Sequence, residues 1–442
     1  MLSWRSIRLC LTAVLALVLA LSGFPLSGVR DTHPRLAAAF GPDVPRSEAP
    51  APKPKPATPA PVVHTRQTVV PSAPMGAAHD VVAELPETRT KSYGMVGVTW
   101  SPKTTEADVT VKFRSLVKDK WTAWQALGLD DQQPGVAGRP GTEPVWVGKA
   151  QGVAVRVSTK SGVKPADIRV VTIDPGGSSS TVSPAGTDTT PASSGLTTAA
   201  FTPTGTLDGT VHASTVADSS DGTPSFTPKP TIISRAAWGA GPGTTCDSPL
   251  TGDSTHGVVV HHTAGNNTYA KSDSAKIVRG IQAYHTKGHG WCDIGYNFLV
   301  DKYGQIFEGR KGGVDRPVRA AHSGNGEVNT YDMGVSMMGD YDKVHMSPAL
   351  ERSMVKLIGW RLGTNYLKAK GTYKVKENNL TLNMISGHRN VIHTECPGRY
   401  GYAWLSEKGG LRDRVEAYIS KYKSDIKTRA AALGTSVTVP VF

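Results

Sequence analysis

The chain has 442 residues, 47 of them glycine and 31 proline, so it is long enough for about two or three domains and too rich in linker residues for one compact globule. Hydrophobic residues make up 38 %, which excludes a protein of many membrane spans, and four cysteines are too few for a disulfide scaffold. The 49 basic and 36 acidic side chains give a formal charge of +13, which points to an anionic partner: nucleic acid, a membrane surface or a cell-wall polyanion.

Arg5 and Arg8 precede an apolar run from Leu9 to Leu21 that is short for a bilayer span and has the layout of a secretory signal. Ala20-Leu21-Ser22 offers a cleavage site, giving a signal peptide over 1–22, with Ala37-Ala38-Ala39 as a later site extending it up to 39. The alternative is an uncleaved membrane anchor. Either way the mature chain leaves the cytoplasm, so nucleic-acid roles recede, and no transmembrane segment remains once the signal is removed. Residues 40–89 form a Pro/Ala-rich segment, typified by Pro50-Ala51-Pro52-Lys53-Pro54, and are expected to be extended and without a core. Over 90–173 apolar residues alternate: Val96, Val98 and Trp100, then Val109, Val111 and Phe113, then Val153, Val155 and Val157, then Ile168 and Val170. That period predicts a small antiparallel domain, β-sandwich-like. Trp121, Trp124 and Trp146 either fill its core or form a carbohydrate-stacking face, and core filling is the simpler reading. Residues 174–230 are a Ser/Thr/Pro/Gly linker that reads as a tether.

Residues 231–424 read as an α/β domain, and 425–442 as an apolar, β-prone tail. Gly257–His261 is a buried strand and Lys271–Lys287 a helix with Ile277, Val278, Ile281 and Tyr284 on one face. Strands are expected over Tyr296–Val300, Gln305–Glu308 and Met333–Met338. Ser347-Pro348 opens a helix that carries Leu350, Met354, Leu357 and Ile358 and stops near Gly363; a last helix carries Leu411, Val415, Tyr418 and Ile419.

Chemistry-bearing residues concentrate in three segments: His261-His262-Thr263-Ala264-Gly265 after the buried strand; Gly295-Tyr296-Asn297-Phe298 with Gln305-Ile306-Phe307-Glu308-Gly309-Arg310; and Gly387-His388-Arg389-Asn390-Val391-Ile392-His393-Thr394-Glu395-Cys396-Pro397-Gly398. His388 and Cys396 are a plausible metal pair to which a distant strand adds a third ligand, the composition of a catalytic zinc site. Spacing alone also allows polar histidines and a buried cysteine with no metal.

These words, together with Ser234-Arg235-Ala236-Ala237-Trp238-Gly239-Ala240, Gly290-Trp291-Cys292-Asp293-Ile294 and Ala321-His322-Ser323-Gly324-Asn325, match a family in order and spacing. From about Ile232 to Tyr422 the chain resembles the zinc-dependent N-acetylmuramoyl-L-alanine amidases of the peptidoglycan recognition protein superfamily. The β domain and tether resemble the N-terminal regions of secreted bacterial members. The resemblance implies a mixed β-sheet flanked by helices, a Zn2+ cofactor, and hydrolysis of the amide between N-acetylmuramic acid and L-alanine. It implies His261, His388 and Cys396 as metal ligands, with an exchange of His261 for His262 left open. It implies Tyr296 and Thr394 as catalytic hydrogen-bond donors, and Thr263, His285, Arg310, His322 and Asn325 around the substrate groove, in contact or structural roles. The general base is open: some relatives carry glutamate in the strand where this chain has Ser336. Asn390 stands where the family usually has aspartate.

Once a signal carrying Cys10 is removed and Cys396 is given to zinc, Cys246 and Cys292 remain, and an oxidising compartment suits a disulfide between them. The implied partners are muramyl peptides of peptidoglycan and anionic wall polymers, and the implied location is secreted, extracellular or cell-wall associated. The rival reading is a catalytically silent peptidoglycan-binding recognition protein. In such proteins the cysteine ligand is typically replaced, whereas this chain keeps it.

Overall fold

The computed structural model describes residues 60–78, 80–103, 108–130, 138–177, 227–242 and 249–432. The signal-like segment, most of the linker, Cys246 and the extreme C-terminus lie outside the described residues. No helix among the described residues is long and apolar enough to cross a membrane.

The N-terminal domain consists of β1 (His64–Val69), β2 (Val81–Thr99), β3 (Val109–Val117), β4 (Lys120–Trp121), β5 (Gln125–Leu127), β6 (Leu129–Asp130), β7 (Gly141–Thr142), β8 (Val145–Thr159) and β9 (Arg169–Asp174). Among the described residues these make one nine-stranded antiparallel sheet, in which β2 pairs with β8 along one edge and with β9 near its end. Register shifts along β2 and β8 mark bulges, which bend long strands over their own core. That core holds the alternating residues read from the sequence, among them Val96, Val98, Val111, Phe113, Val155 and Val157.

The domain starts earlier than alternation suggests, because 60–89 hold β1 and the first half of β2 rather than a coreless segment. The reason is that β1, His-Thr-Arg-Gln-Thr-Val, is a largely exposed edge strand held by backbone pairing to β9, so it has no apolar period to read. The tryptophans divide. Trp146 is buried, whereas Trp121 and Trp124 are half-buried under the guanidinium groups of Arg114 and Arg156, 4.5–5.6 Å from the ring centroids.

The C-terminal domain runs through α1 (Arg235–Trp238), β10 (Gly257–His262), α2 (Ser274–Ala283), β11 (Phe298–Val300), β12 (Ile306–Glu308), α3 (Gly326–Tyr331), β13 (Asp332–Met337), α4 (Pro348–Thr364), β14 (Thr372–Val375), β15 (Leu380–Asn383), β16 (Ile385–Gly387), α5 (Arg399–Ser406) and α6 (Leu411–Ala432). Its five-stranded sheet, counted over the described residues, has the order β12-β11-β13-β10-β16. β10 runs parallel to both neighbours, and β12 is antiparallel to β11. Both central strands, β10 and β13, are buried throughout, as the apolar run of β10 predicts for that strand. Val258 and Val260 face α4, α5 and α6. Ser347 caps α4 by accepting from Leu350 N–H, with Pro348 at its first position. The helix expected over 271–287 begins as a 3-10 turn and ends as a π-turn over Tyr284–Gly288.

Opposite α4 lies a core shared by the two domains. Met95, Trp146, Val171 and Ile173 of the β domain pack with Ile277, Ile281, Tyr284 and Tyr296. Tyr284 Oη donates to the Val98 carbonyl at 3.0 Å, and Arg279 donates to the carbonyls of Pro175 and Gly177. Gly97 makes this contact possible, since a Cβ there would stand 2.4 Å from the Tyr284 ring.

Candidate active site

β10 delivers its last residues to a cleft of about 330 Å³. Successive residues of a strand face opposite sides. Val260 and His262 therefore share one side of the strand; His262 Nδ1 accepts from Tyr341 N–H at 3.2 Å, and its ring also lines the cleft. His261 turns the other way. Its Nδ1 lies 3.7 Å from Cys396 Sγ, and the ligand atoms of His261, His388 and Cys396 lie within 4.8 Å of one another. His261, not His262, stands with the other two.

The second histidine and the cysteine come from one loop. His388 follows β16 directly, and Asn390 Oδ1 accepts from Gly387 N–H at 2.9 Å, closing the turn. Asn390 also donates to Tyr402 Oη at 2.8 Å, a bond an aspartate could not donate. Arg389 N–H donates to the Cys396 carbonyl at 3.1 Å, and Cys396 N–H donates to Thr394 Oγ1 at 2.9 Å, which brings the cysteine back beside His388. The Cys396 Sγ accepts from His262 N–H at 3.4 Å.

Hydrogen-bond direction fixes the histidine tautomers. His322 Nε2 donates to the Asp332 carbonyl at 3.3 Å, so its Nδ1 is an acceptor. His261 Nε2, 3.0 Å from that Nδ1, must therefore donate, and the lone pair of His261 Nδ1 is left facing Cys396. A Cβ at Gly334 would stand 2.3 Å from the His322 ring, so β13 needs glycine there to admit this histidine. Burial holds all three imidazoles neutral: it pushes His322 down to about 4, His388 to about 3 and His261 well below the usual histidine range. His388 donates to the Ser323 carbonyl, and its buried Nε2 has no hydrogen-bond partner among the described residues.

Two neutral imidazoles and one thiol with converging lone pairs are the donor set that zinc takes. Tetrahedral ligands at ordinary Zn–N and Zn–S lengths stand roughly 3.5 Å apart, close to the 3.7 Å between His261 Nδ1 and Cys396 Sγ. The residues fit the metal.

Tyr296 is buried beside His261, with ring centroids 5.3 Å apart, and lines the cleft with His322, His388, Thr394 and Cys396. Burial and the Glu143 carboxylate push its pKa well above the usual phenol value, so it stays protonated. The other groove residues expected from sequence stand behind the wall, bonded to backbone. Thr263 Oγ1 accepts from Gly339 N–H at 3.0 Å, and His285 Nδ1 from Gly295 N–H at 3.0 Å. Asn325 caps α3, and Arg310 donates to the Ile294 carbonyl at 3.2 Å and to Cys292 Sγ at 2.9 Å.

The opposite wall of the cleft belongs to the β domain, through Gly128, Leu129, Asp130 and Glu143. Asp130 Oδ2 lies 3.1 Å from His289 Nε2, and Glu143 Oε1 lies 3.5 Å from Tyr296 Oη. Nothing local in the sequence marks these residues, because they lie in or beside strands only two residues long.

Residues 251–399 match the family described as N-acetylmuramoyl-L-alanine amidase, and residues 46–192 match the one described as Rv3811 N-terminal galactose-binding domain-like. Peptidoglycan-recognition protein SC1a/b of Drosophila simulans is 31 % identical over 169 residues, which are 38 % of this chain and 80 % of that protein. Peptidoglycan recognition protein 1 of Bos taurus is 34 % identical over 168 residues, 38 % of this chain and 78 % of that protein. The solved structure of wild-type Drosophila PGRP-LB aligns at 27 % identity and a TM-score of 0.33, over 40 % of this chain and 93 % of that one. With 31 % identity over four-fifths of a relative's length, and the amidase match in the same segment, the chain belongs to the peptidoglycan recognition protein family.

Proposed function

We infer that the protein is a secreted, zinc-dependent N-acetylmuramoyl-L-alanine amidase that cleaves the amide between N-acetylmuramic acid and L-alanine in peptidoglycan. The observation that carries this reading is the convergence of neutral His261 and His388 with the Cys396 thiol beside Tyr296, at a cleft that His388, Cys396 and Tyr296 line. His261, His388 and Cys396 would hold the zinc, which when bound supplies Lewis acidity to the amide carbonyl and lowers the pKa of water toward about 7. Tyr296 acts as a donor toward the oxygen that gains charge. Thr394 Oγ1 already accepts from Cys396 N–H, which leaves its own proton for the same oxygen. Thr263, His285, Arg310 and Asn325 shape the groove by fixing the backbone around it. Muramyl peptides are the substrate class, in line with the names of the relatives, and the +13 charge favours retention on an anionic wall. Cys246 and Cys292 are assigned to a disulfide, in keeping with export.

His322 is a positioning residue: it fixes the tautomer and orientation of His261. His322→Ala is expected to weaken zinc binding by about 10–100-fold in competition with a chelating dye. An unchanged affinity would remove His322 from this role. The reaction itself is tested on purified sacculi, where the reading expects new N-terminal alanine without new reducing sugar. Binding to sacculi with no release of alanine would instead identify a silent recognition protein.

A further inference from the structure

Hydrolysis of an amide needs two proton movements, one off the attacking water and one onto the departing nitrogen. One basic group in the cleft can serve both. Some relatives are expected to use a glutamate on the strand corresponding to β13, but here Ser336 stands there, buried beside Tyr296. Burial and the neighbouring Glu143 carboxylate raise the Tyr296 pKa, which favours its phenol form, a donor. Of the other carboxylates that line the cleft, Asp130 points to His289, its Oδ2 3.1 Å from Nε2, and Asp342 accepts from Arg399 N–H at 2.7 Å. Glu395 stands on the rim with a side chain 85 % exposed. Glu143 alone among these has a carboxylate oxygen beside the Tyr296 hydroxyl, 3.5 Å away. That gap is long for a direct hydroxyl–carboxylate hydrogen bond, so the two groups flank a position rather than close it off.

Its carrier is rigid. Glu143 follows β7, whose Thr142 Oγ1 accepts from Val98 N–H at 3.1 Å, and its own N–H donates to the Gly128 carbonyl at 2.8 Å. The same corner is clamped to the C-terminal domain: Arg139 N–H donates to the His289 carbonyl at 2.8 Å, and His289 Nδ1 donates to the Arg139 carbonyl at 2.6 Å. A side chain on such a frame is held in place by both domains.

We propose that Glu143, supplied by the galactose-binding-like β domain, is the catalytic general base of the cleft. Its carboxylate takes a proton from water as the water oxygen bonds to the amide carbon. The C–N bond then breaks, and Glu143 returns that proton to the nitrogen, leaving a carboxylic acid on the lactyl side, whose proton passes to the new alanine amine to give carboxylate and ammonium. The β domain is thereby part of the active site and not only a tether or targeting module. This rests on the amidase reading above.

The test uses the full-length zinc-loaded chain and N-acetylmuramoyl-L-alanyl-D-isoglutamine as substrate. Glu143→Gln is expected to lower kcat by about 100–10,000-fold, the usual span for a general base, and Glu143→Asp to restore part of that loss. Zinc content, melting temperature, KM and calorimetric binding of the same muramyl peptide to the zinc-free protein should match wild type in both variants. An active wild type with an equally active Glu143→Gln variant overturns this proposal alone. So does a Glu143→Gln variant whose lost rate is accompanied by lost zinc or lost peptide binding, since that marks a structural role. An inactive wild type overturns the amidase reading and this proposal together.

Discussion

Cys396→Ser should strip the protein of its metal while leaving the fold intact. Cys396 brings the one anionic donor to a set whose other members are neutral imidazoles. A serine hydroxyl is not deprotonated at neutral pH and is a harder, shorter donor than a thiolate. Changes one shell further out typically weaken metal binding by about 10–100-fold, so loss of a direct ligand is expected to exceed 100-fold, with hydrolysis falling in parallel. The backbone has no reason to move, since the loop is closed by Cys396 N–H on Thr394 Oγ1 and by Arg389 N–H on the Cys396 carbonyl. Metal analysis after dialysis, set beside circular dichroism, reads both halves. A Cys396→Ser protein that keeps its zinc and its activity contradicts the ligand assignment.

Tyr296→Phe separates chemistry from binding. The ring packs in the core shared by the two domains, and phenylalanine keeps that packing. What disappears is a hydroxyl that burial and Glu143 hold protonated in the cleft. Removing one donor to a developing oxyanion typically lowers kcat by about 100–1,000-fold. Zinc content and KM should remain near wild type, and a KM effect with kcat unchanged would make Tyr296 a substrate contact only.

The elements that were legible in the sequence are those that bury an apolar face. β10 read as a continuous buried run, β13 as a strand, and α4 announced itself through the Ser347-Pro348 cap. β1 was not legible, because an exposed edge strand pairs through its backbone and leaves its side chains free to be polar. The short strands β4 to β7 carry too few residues for a period of two to be visible. Within the site, local words led to the cluster, since a strand end and one tight loop deliver all three candidate ligands. Those words mark positions and not directions. Thr263, His285, Arg310 and Asn325 were read around the groove in either contact or structural roles, and their side chains bond to backbone partners. His322 lines the cleft and also supports His261. Glu143 had no local signal, because it reaches Tyr296 only once two domains separated by a long linker have packed together.

The central claim is metal-dependent cleavage of the muramyl–alanine amide, and it is tested most directly on purified sacculi with three preparations of the full chain: as isolated, chelator-stripped, and stripped then reloaded with zinc. The predicted result is new N-terminal alanine from the first and third but not the second, with no new reducing sugar in any. Alanine release that survives stripping unchanged, or that is absent even from zinc-loaded protein, contradicts it.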